Sequence, residues 1–424
     1  MWNNKKNILF VIIFVVASYS SNSQEFSQWR GDDRSGVYNE KNILTNWPEG
    51  GPKLLWHAEG LPKGYSSMAI ANNMVYFTGL QDSADVVVAV DFSGQKKWQT
   101  VIGKSWVWSF PDSRCTPTIE GDRVYVSSGT GDVVCVNAFT GETIWRVDAV
   151  GKFKGRFSSW GCAESILIFE DKVFFTTAGD QTTMVALNKL TGETVWTSKS
   201  LNDTIAYASP ILAQYGERKL IFNTLANHLI GVDPATGDIL CHFNYGGFHN
   251  KTANKDWGGA SYCNTNTPVI KGNSIYITGG YNHVGVKLKL SDDLTKLDVE
   301  WIDSTLDVHH GGTVLLDGYI YGANWINNGN GNWCCIDWET GKTLYETKWK
   351  SKGSIIANDG YLYCYEERTG WIALVKATPE GFNPSSSFKV PYGTGPYWAH
   401  LAIRNGVLYV RHGDSIMAYS ISEK

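Results

Sequence analysis

The sequence lacks an apolar run long enough to cross a bilayer. Its N-terminal run, Ile8 to Ala17, is ten residues, against about 20 for a spanning helix. Lys5 and Lys6 precede it, and polar residues with small Ser21 and Ser23 follow. That is the pattern of an export signal cleaved near Ser23/Gln24. No cysteine follows the run, which argues against a lipid attached at a processed N-terminal cysteine. Residues 1–23 are therefore read as a signal peptide, and the mature chain is expected to be soluble, in the periplasm or secreted. Charge is also sparse. Charged residues are 18% of the 424 and the formal net charge is −4, which excludes a nucleic-acid binder working by bulk positive charge. There is no haem-attachment CxxCH, no HxH pair and no carboxylate cluster, so no metal is expected. Eight cysteines could pair in an oxidising compartment, but most are expected to stay free. Cys334 and Cys335 are adjacent and should face opposite sides of a strand.

What the sequence has is a repeat. VNAFTGETIW (Val136 to Trp145) recurs as LNKLTGETVW (Leu187 to Trp196), and more loosely from Val90, Val232 and Ile336. The words read as strand, tight turn, strand. Asn137 and Gly141 supply the turn, Gly141 being free to take positive φ, and Trp145 is a rigid anchor on the return strand. The anchors run Trp56, Trp98, Trp145, Trp196, Cys241, Trp301, Tyr345 and Phe388, spaced 42 to 51 residues apart with one interval of 60. This is the period of a four-stranded propeller blade. A second strand recurs eight times, from MVYFTG (Met74) to VLYVRHG (Val407). The last copy reaches the C-terminus without an outer strand, and PKLLW (Pro52 to Trp56) is an outer strand without a blade. Pro52 to His57 is expected to pair with Ser415 to Ser420 and close the ring, leaving no exposed edge. The fold class is thus all-β. The expected organisation is a signal peptide (1–23), an irregular N-terminal segment without a clear period (24–51) and one eight-bladed β-propeller (52–424). Cys135 and Cys335 fall where other repeats have Ala89, Ala186 and Gly231, so both are expected to be buried free thiols.

The AxDxxTGxxxW repeat and the opening QWRG…RSG…GPKLLW resemble exported PQQ-like β-propeller repeat proteins, over nearly the whole mature chain. The resemblance implies the fold and leaves several functions open. The family includes quinoprotein dehydrogenases and a non-catalytic outer-membrane assembly factor. It also includes secreted propellers of polysaccharide breakdown in marine Bacteroidetes, an oligosaccharide dehydratase among them.

Aligning the blades on their second strands puts one residue per blade at the axial rim: Tyr65, Arg114, Ala163, Tyr207, Thr265, His310, Lys352 and Trp398. Two residues deeper lie Ser67, Thr116, Ser165, Ser209, Thr267, Gly312, Ser354 and His400. The deeper ring is small and hydroxylic. The rim is cationic and aromatic and contains no carboxylate. Three long loops, Gln99 to Ser113, Val147 to Cys162 and His242 to Asn264, stand above it. They carry Lys104, Lys152, Lys154, Arg156, Lys251 and Lys255 against Asp112, Asp148 and Asp256, a local balance of +3. They also hold Trp106, Trp108, Trp160, Trp257 and His249. A concave mouth of one sign attracts the opposite sign. Arginine forks suit carboxylate and sulfate, and indoles stack on sugar faces. The expected partner is an anionic oligosaccharide, with no nucleic acid and no membrane span.

The residues support an enzyme that eliminates across a bond beside a uronate carboxylate, as a dehydratase or lyase. Such chemistry needs a cation for the carboxylate, a base and an acid. His310 or His400 is expected as base, since imidazole is poised near neutrality, and Tyr207 as acid. Arg114, Lys352, Trp398, Tyr65, Arg156 and His309 are expected to bind substrate; strand alternation lets only one of His309 and His310 face the axis. Cys115 and Glu164 align at a side-facing position and read as packing or loop-bonding groups; Asp180 and Asn327 to Asn332 read as turns. A non-catalytic scaffold is the alternative. A quinoprotein reading would need PQQ and calcium; the family pattern puts adjacent cysteines on the quinone and acidic ligands on the metal, whereas here the rim has no carboxylate. No cofactor is therefore expected.

Overall fold

In the computed structural model, which describes residues 25–248 and 264–423, the chain is an eight-bladed β-propeller. The expected signal peptide lies outside the described residues, as do His249, Lys251, Lys255, Asp256 and Trp257 of the third long loop. Blade 1 runs outward from the axis as Ala69–Ala71, Met74–Gln81, Ala84–Asp91 and Lys96–Lys104. Six further blades follow in chain order. The eighth takes its outer strand from the start of the chain. Lys53–Ala58 pairs antiparallel with Ser415–Ser420, Lys53 opposite Ser420 and Trp56 opposite Ala418. This is the expected closure, shifted by one residue. Among the described residues no helix is long and apolar enough to cross a membrane.

All eight anchors lie on outer strands. Opposite each large anchor the third strand places a smaller residue in most blades: Ala89 faces Trp98, Cys135 faces Trp145, Ala186 faces Trp196 and Cys335 faces Tyr345. The two thiols are thus equivalent and wholly buried. Burial pushes each up to about 12, so neither is a reactive thiolate. Blade 5 departs from the rule. Lys287 faces Trp301, its ammonium lying over the Trp301 and Trp338 rings and donating to Trp338 O at 2.9 Å.

Two sets of contacts join neighbouring blades. On the outside, the anchor indole of one blade donates to a turn carbonyl of the next: Trp98 to Ala138 at 2.9 Å, Trp145 to Lys189 at 3.0 Å, Trp196 to Pro234 at 3.1 Å and Trp301 to Trp338 at 3.1 Å. The turn glycine lies flat against the same ring. A Cβ on Gly141 (φ +75°) would stand 2.7 Å from Trp98. The TG of the repeat therefore answers both to its own turn and to the tryptophan of the preceding blade. On the inside, the hydroxylic ring makes a collar. Thr116 Oγ1 accepts from Ser67 N at 2.9 Å, Ser165 Oγ from Thr116 N at 3.1 Å, and Ser209 Oγ from Ser165 N at 3.0 Å.

The segment read as irregular is a strap through the ring. Phe26–Ser27 adds to the innermost strand of blade 2, and Val37–Tyr38 adds in parallel to that of blade 7. Between them two buried arginines tie inner strands together. Arg34 donates to Ser165 O and Pro210 O, both at 2.9 Å, and to Ile166 O at 2.5 Å, with Gln28 Oε1 at 2.7 Å on its Nε. Arg30 donates to Thr313 O at 2.5 Å and Ile355 O at 3.0 Å. A Cβ on Gly312 (φ +73°) would lie 2.3 Å from Arg30 Nη1, so only glycine leaves room for the strap there. Backbone periodicity gives no hint of this segment because its arginines bond carbonyls scattered over four blades.

Gly141→Ala is expected to destabilise by about 2–4 kcal/mol in urea unfolding, combining a positive-φ cost with overpacking against Trp98. Gly50→Ala serves as control: it keeps the φ cost (φ +86°) with no atom within 4 Å of the new Cβ, and should lose about 1 kcal/mol. Equal losses would remove the ring contact from the account. In a separate test, Cys115, Cys135, Cys162, Cys241, Cys334, Cys335 and Cys364, all free and buried, should react as thiols once the unreduced protein is denatured. Fewer than seven reactive thiols would contradict this.

Candidate functional site

The strap closes the axis from below and leaves a blind cavity of about 240 Å3 at the mouth. Its floor is Trp29 and His400, whose rings meet edge to face at 5.4 Å, with Ser67, Ser165 and Ser209 around them. Its walls are Tyr65, Phe110, Trp160, Tyr207, Tyr281 and Trp398, with Arg114, His309, His310 and Glu367 among them. The inner strands deliver these groups from different blades, so one cavity collects side chains more than 250 residues apart in sequence.

Most of the expected residues come together here. Arg114 stands over the Tyr207 ring at 5.5 Å and is braced by the long loop beside it, donating to Ser109 O at 2.8 Å and to Phe110 O. The Tyr207 hydroxyl donates to Trp160 O. Trp398 packs against Tyr65 at 4.9 Å, Phe110 at 5.0 Å and His310 at 5.2 Å. Burial, with the Asp112 carboxylate beside it, pushes the Tyr65 hydroxyl above its ordinary range, and Arg114 opposes this. Trp108 does not line the cavity and is 83% exposed.

Both adjacent histidines line the cavity, against the expectation that only one faces the axis, because they lie in a bend ahead of the strand Thr313–Leu316 where strand alternation does not hold. His309 Nε2 meets the Tyr281 hydroxyl at 2.8 Å. Burial holds His309 well below the usual imidazole range, with His310 and Lys352 adding to the effect. His310 turns the other way, Nε2 lying 3.1 Å from Glu367 Oε2, a close approach rather than a well-aligned hydrogen bond. Its Nδ1 engages no described residue.

Four further expectations need correction. The rim was read as free of carboxylates, yet Glu367 lines the cavity. It follows the second strand of blade 7, outside the inner-strand register used to assign the rim. Lys352 does not line the cavity. It is 2% exposed and forms an ion pair with Glu367, which is 6% exposed, while donating to Asn328 O at 3.0 Å. Arg156 is not at the mouth either. Its guanidinium bonds Asp180, Asn202 Oδ1 at 2.9 Å and Asn202 O at 3.3 Å, so Asp180 is an ion-pair partner as well as a turn residue. Finally, His400 is not placed to act as a base. Its Nδ1 takes a hydrogen bond from Arg30 at 3.1 Å and its Nε2 donates to His310 O at 2.9 Å. Both nitrogens are committed, and burial with Arg30 nearby pushes the imidazole down to about 3. Cys115 and Glu164 are the packing groups expected. Cys115 Sγ accepts from Ser127 N at 3.3 Å and Glu164 Oε1 from Thr176 N at 3.1 Å. Burial pushes Glu164 up to about 8.

His400 stays neutral in the folded state, whereas the unfolded chain takes up a proton on it below its ordinary value of 6.5. The unfolded state then binds more protons, so stability falls as pH drops through 6.5 towards 3. Between pH 7 and pH 5 this contributes a loss of about 2 kcal/mol. His400→Gln should remove that part of the pH dependence in urea unfolding. An unchanged slope would show that His400 titrates normally.

The donor set does not suit a quinone stacked on paired cysteines beside a calcium ion. Cys334 and Cys335 lie in the buried third strand of blade 6 and line no part of the cavity. Among the described residues Glu367 is the sole carboxylate on the cavity wall, already held by Lys352 and His310. No group of three or more His, Cys, Asp or Glu among the described residues is placed to hold a metal. Comparison with known proteins agrees on architecture. The sequence model of the family described as outer membrane protein assembly factor BamB matches residues 83–327. The assembly factor of that name from Kangiella koreensis is 22% identical over 183 residues, 42% of each chain, so the match spans less than half of that relative. Among solved structures, BamB from Moraxella catarrhalis is similar with a TM-score of 0.60 at 15% identity, covering 87% of this chain and 99% of that one. The quinohemoprotein alcohol dehydrogenase of Comamonas testosteroni is similar with a TM-score of 0.67 at 12% identity, covering 94% and 81%. With more than half of the chain under the family model, and the propeller described above, the chain belongs to the PQQ-like repeat family of BamB type.

Proposed function

We propose that the protein is an exported carbohydrate-active eliminase, a dehydratase or lyase for uronate-containing anionic oligosaccharides. The observation that carries this reading is the pairing of Arg114 and His310 on one aromatic-walled blind cavity, the first from blade 2 and the second from blade 6. Arg114 takes the uronate carboxylate in a forked contact and offsets the charge that builds up as the adjacent carbon loses its proton. His310 removes that proton through the nitrogen not facing Glu367. Tyr207 protonates the departing oxygen, exchanging the Trp160 carbonyl for substrate. The C–H and C–O bonds break, a C=C bond forms, and water or a sugar hydroxyl leaves. Tyr65, Trp398 and His309 wall the sugar, with Trp29 beneath it. Lys352 and Arg156 are left out of the binding set because each is held by a carboxylate.

A second reading, a binding scaffold without chemistry, is favoured by the family match to an assembly factor. Both readings place the chain outside the cytoplasm. Product formation separates them, followed by the ultraviolet absorbance of an unsaturated uronate with sulfated and carboxylated oligosaccharides as substrates. His310→Ala should lower turnover by about two orders of magnitude or more with binding nearly intact. Arg114→Ala should weaken binding and turnover together, and binding should weaken as salt rises. Wild-type protein that binds these sugars and never forms an unsaturated product would leave the scaffold reading.

A further inference from the structure

The geometry points to Glu367 as the positioning residue that decides which nitrogen of His310 faces the substrate, with Lys352 fixing the orientation of Glu367. The inference rests on the proposed role of His310 as base. Glu367 stands between Lys352 and His310, one oxygen on the Lys352 ammonium and the other 3.1 Å from His310 Nε2. Burial resists its ionisation, but His310 and Lys352 outweigh that and hold the carboxyl below the ordinary glutamate range. An ionised carboxylate offers acceptors only. An Nε2 lone pair would be repelled by a carboxylate oxygen 3.1 Å away and an N–H attracted by it, so we place the His310 proton on Nε2, which leaves the Nδ1 lone pair for the substrate. The backbone of His310 is fixed as well, since its carbonyl accepts from His400 Nε2, and Arg30 of the strap holds His400 on the other side. Base orientation thus depends on four groups, Glu367, Lys352, His400 and Arg30, none of which needs to touch the sugar.

Lys352 makes this testable with a nearly isosteric change. In Glu367→Gln the ammonium, which has only donors, requires the amide oxygen. The amide NH2 is then turned towards His310 Nε2. That nitrogen must become the acceptor, and the proton moves to Nδ1, where it blocks proton abstraction. Adding Lys352→Met releases the amide, which can turn its oxygen back to His310.

Nitrogen-15 spectra of histidine-labelled protein report the tautomer directly. The expected result is Nε2–H in the wild type, Nδ1–H in E367Q, and a return to Nε2–H in K352M/E367Q. In the unsaturated-uronate assay, E367Q should lose about a hundredfold or more in kcat with KM within about twofold, and the double variant should recover part of the loss. The same tautomer in wild type and folded E367Q would overturn the inference. If E367Q does not fold, the wild-type spectrum alone decides, and Nδ1–H there would overturn it. A wild type that forms no unsaturated product would remove the eliminase reading, while the tautomer comparison would still decide the role of Glu367.

Discussion

A single contact, an indole N–H donated to the turn carbonyl of the next blade over a glycine that leaves room for the ring, holds the wheel at its perimeter. It is local in space and reaches one blade ahead in sequence. Each blade is by itself a four-stranded sheet with two uncovered faces, which cannot be stable alone. The tryptophan face and the turn of the next blade are complementary halves, so each blade completes its predecessor. Where the anchor shrinks to Cys241 or changes to Tyr345 or Phe388, the polar half of the contact is absent and burial carries the junction.

That perimeter sets the angular position of every inner strand, and the inner strands set the site. The mouth groups come from blades that never meet in sequence, yet their side chains lie within a few ångströms because the hydroxyl collar draws the strands to one radius. The collar also explains why the deeper ring is rich in Ser and Thr: the Thr116, Ser165 and Ser209 hydroxyls accept an N–H from the preceding blade, while those of Ser67, Thr267 and Ser354 donate to carbonyls of neighbouring blades, bonds that a methyl group could not make. Within this frame three histidines of similar sequence context have different fates. His400 is committed at both nitrogens, His309 is buried against the Tyr281 hydroxyl, and His310 lines the cavity with its Nε2 beside Glu367.

Blade number, closure and the rim were legible in the sequence because all three follow from a repeat in which the period of the strands and that of the blades coincide. The equivalence of Cys135 and Cys335 was legible for the same reason. What was hidden depends on partners outside the repeat. Glu367 sits after a second strand, so an alignment of inner strands passes it by. Lys352 holds the correct rim register, yet a buried carboxylate beside it draws its ammonium out of the mouth. Arg156 is claimed in the same way by Asp180. Local sequence identifies a charged residue, but where its charge points is decided by which opposite charge the fold brings near. The strap was the largest omission. QWRG…RSG carries no periodicity, because buried arginines that satisfy carbonyls leave no pattern in their neighbours.

The strap has a consequence for the order of events when the chain is made. Arg30 is synthesised early, but its partner His400 lies 370 residues later, and the strand on which Lys53–Ala58 closes the ring, Ser415–Ser420, comes from the far end. Contacts so distant in sequence form late, after most of the intervening chain has been ordered. The floor of the cavity is therefore among the last parts of the molecule to exist. A polypeptide stopped short of blade 8 has no His400 to seat Arg30 and no finished pocket, whatever blades it has already folded. The cavity thus has no complete floor until blade 8 has been made.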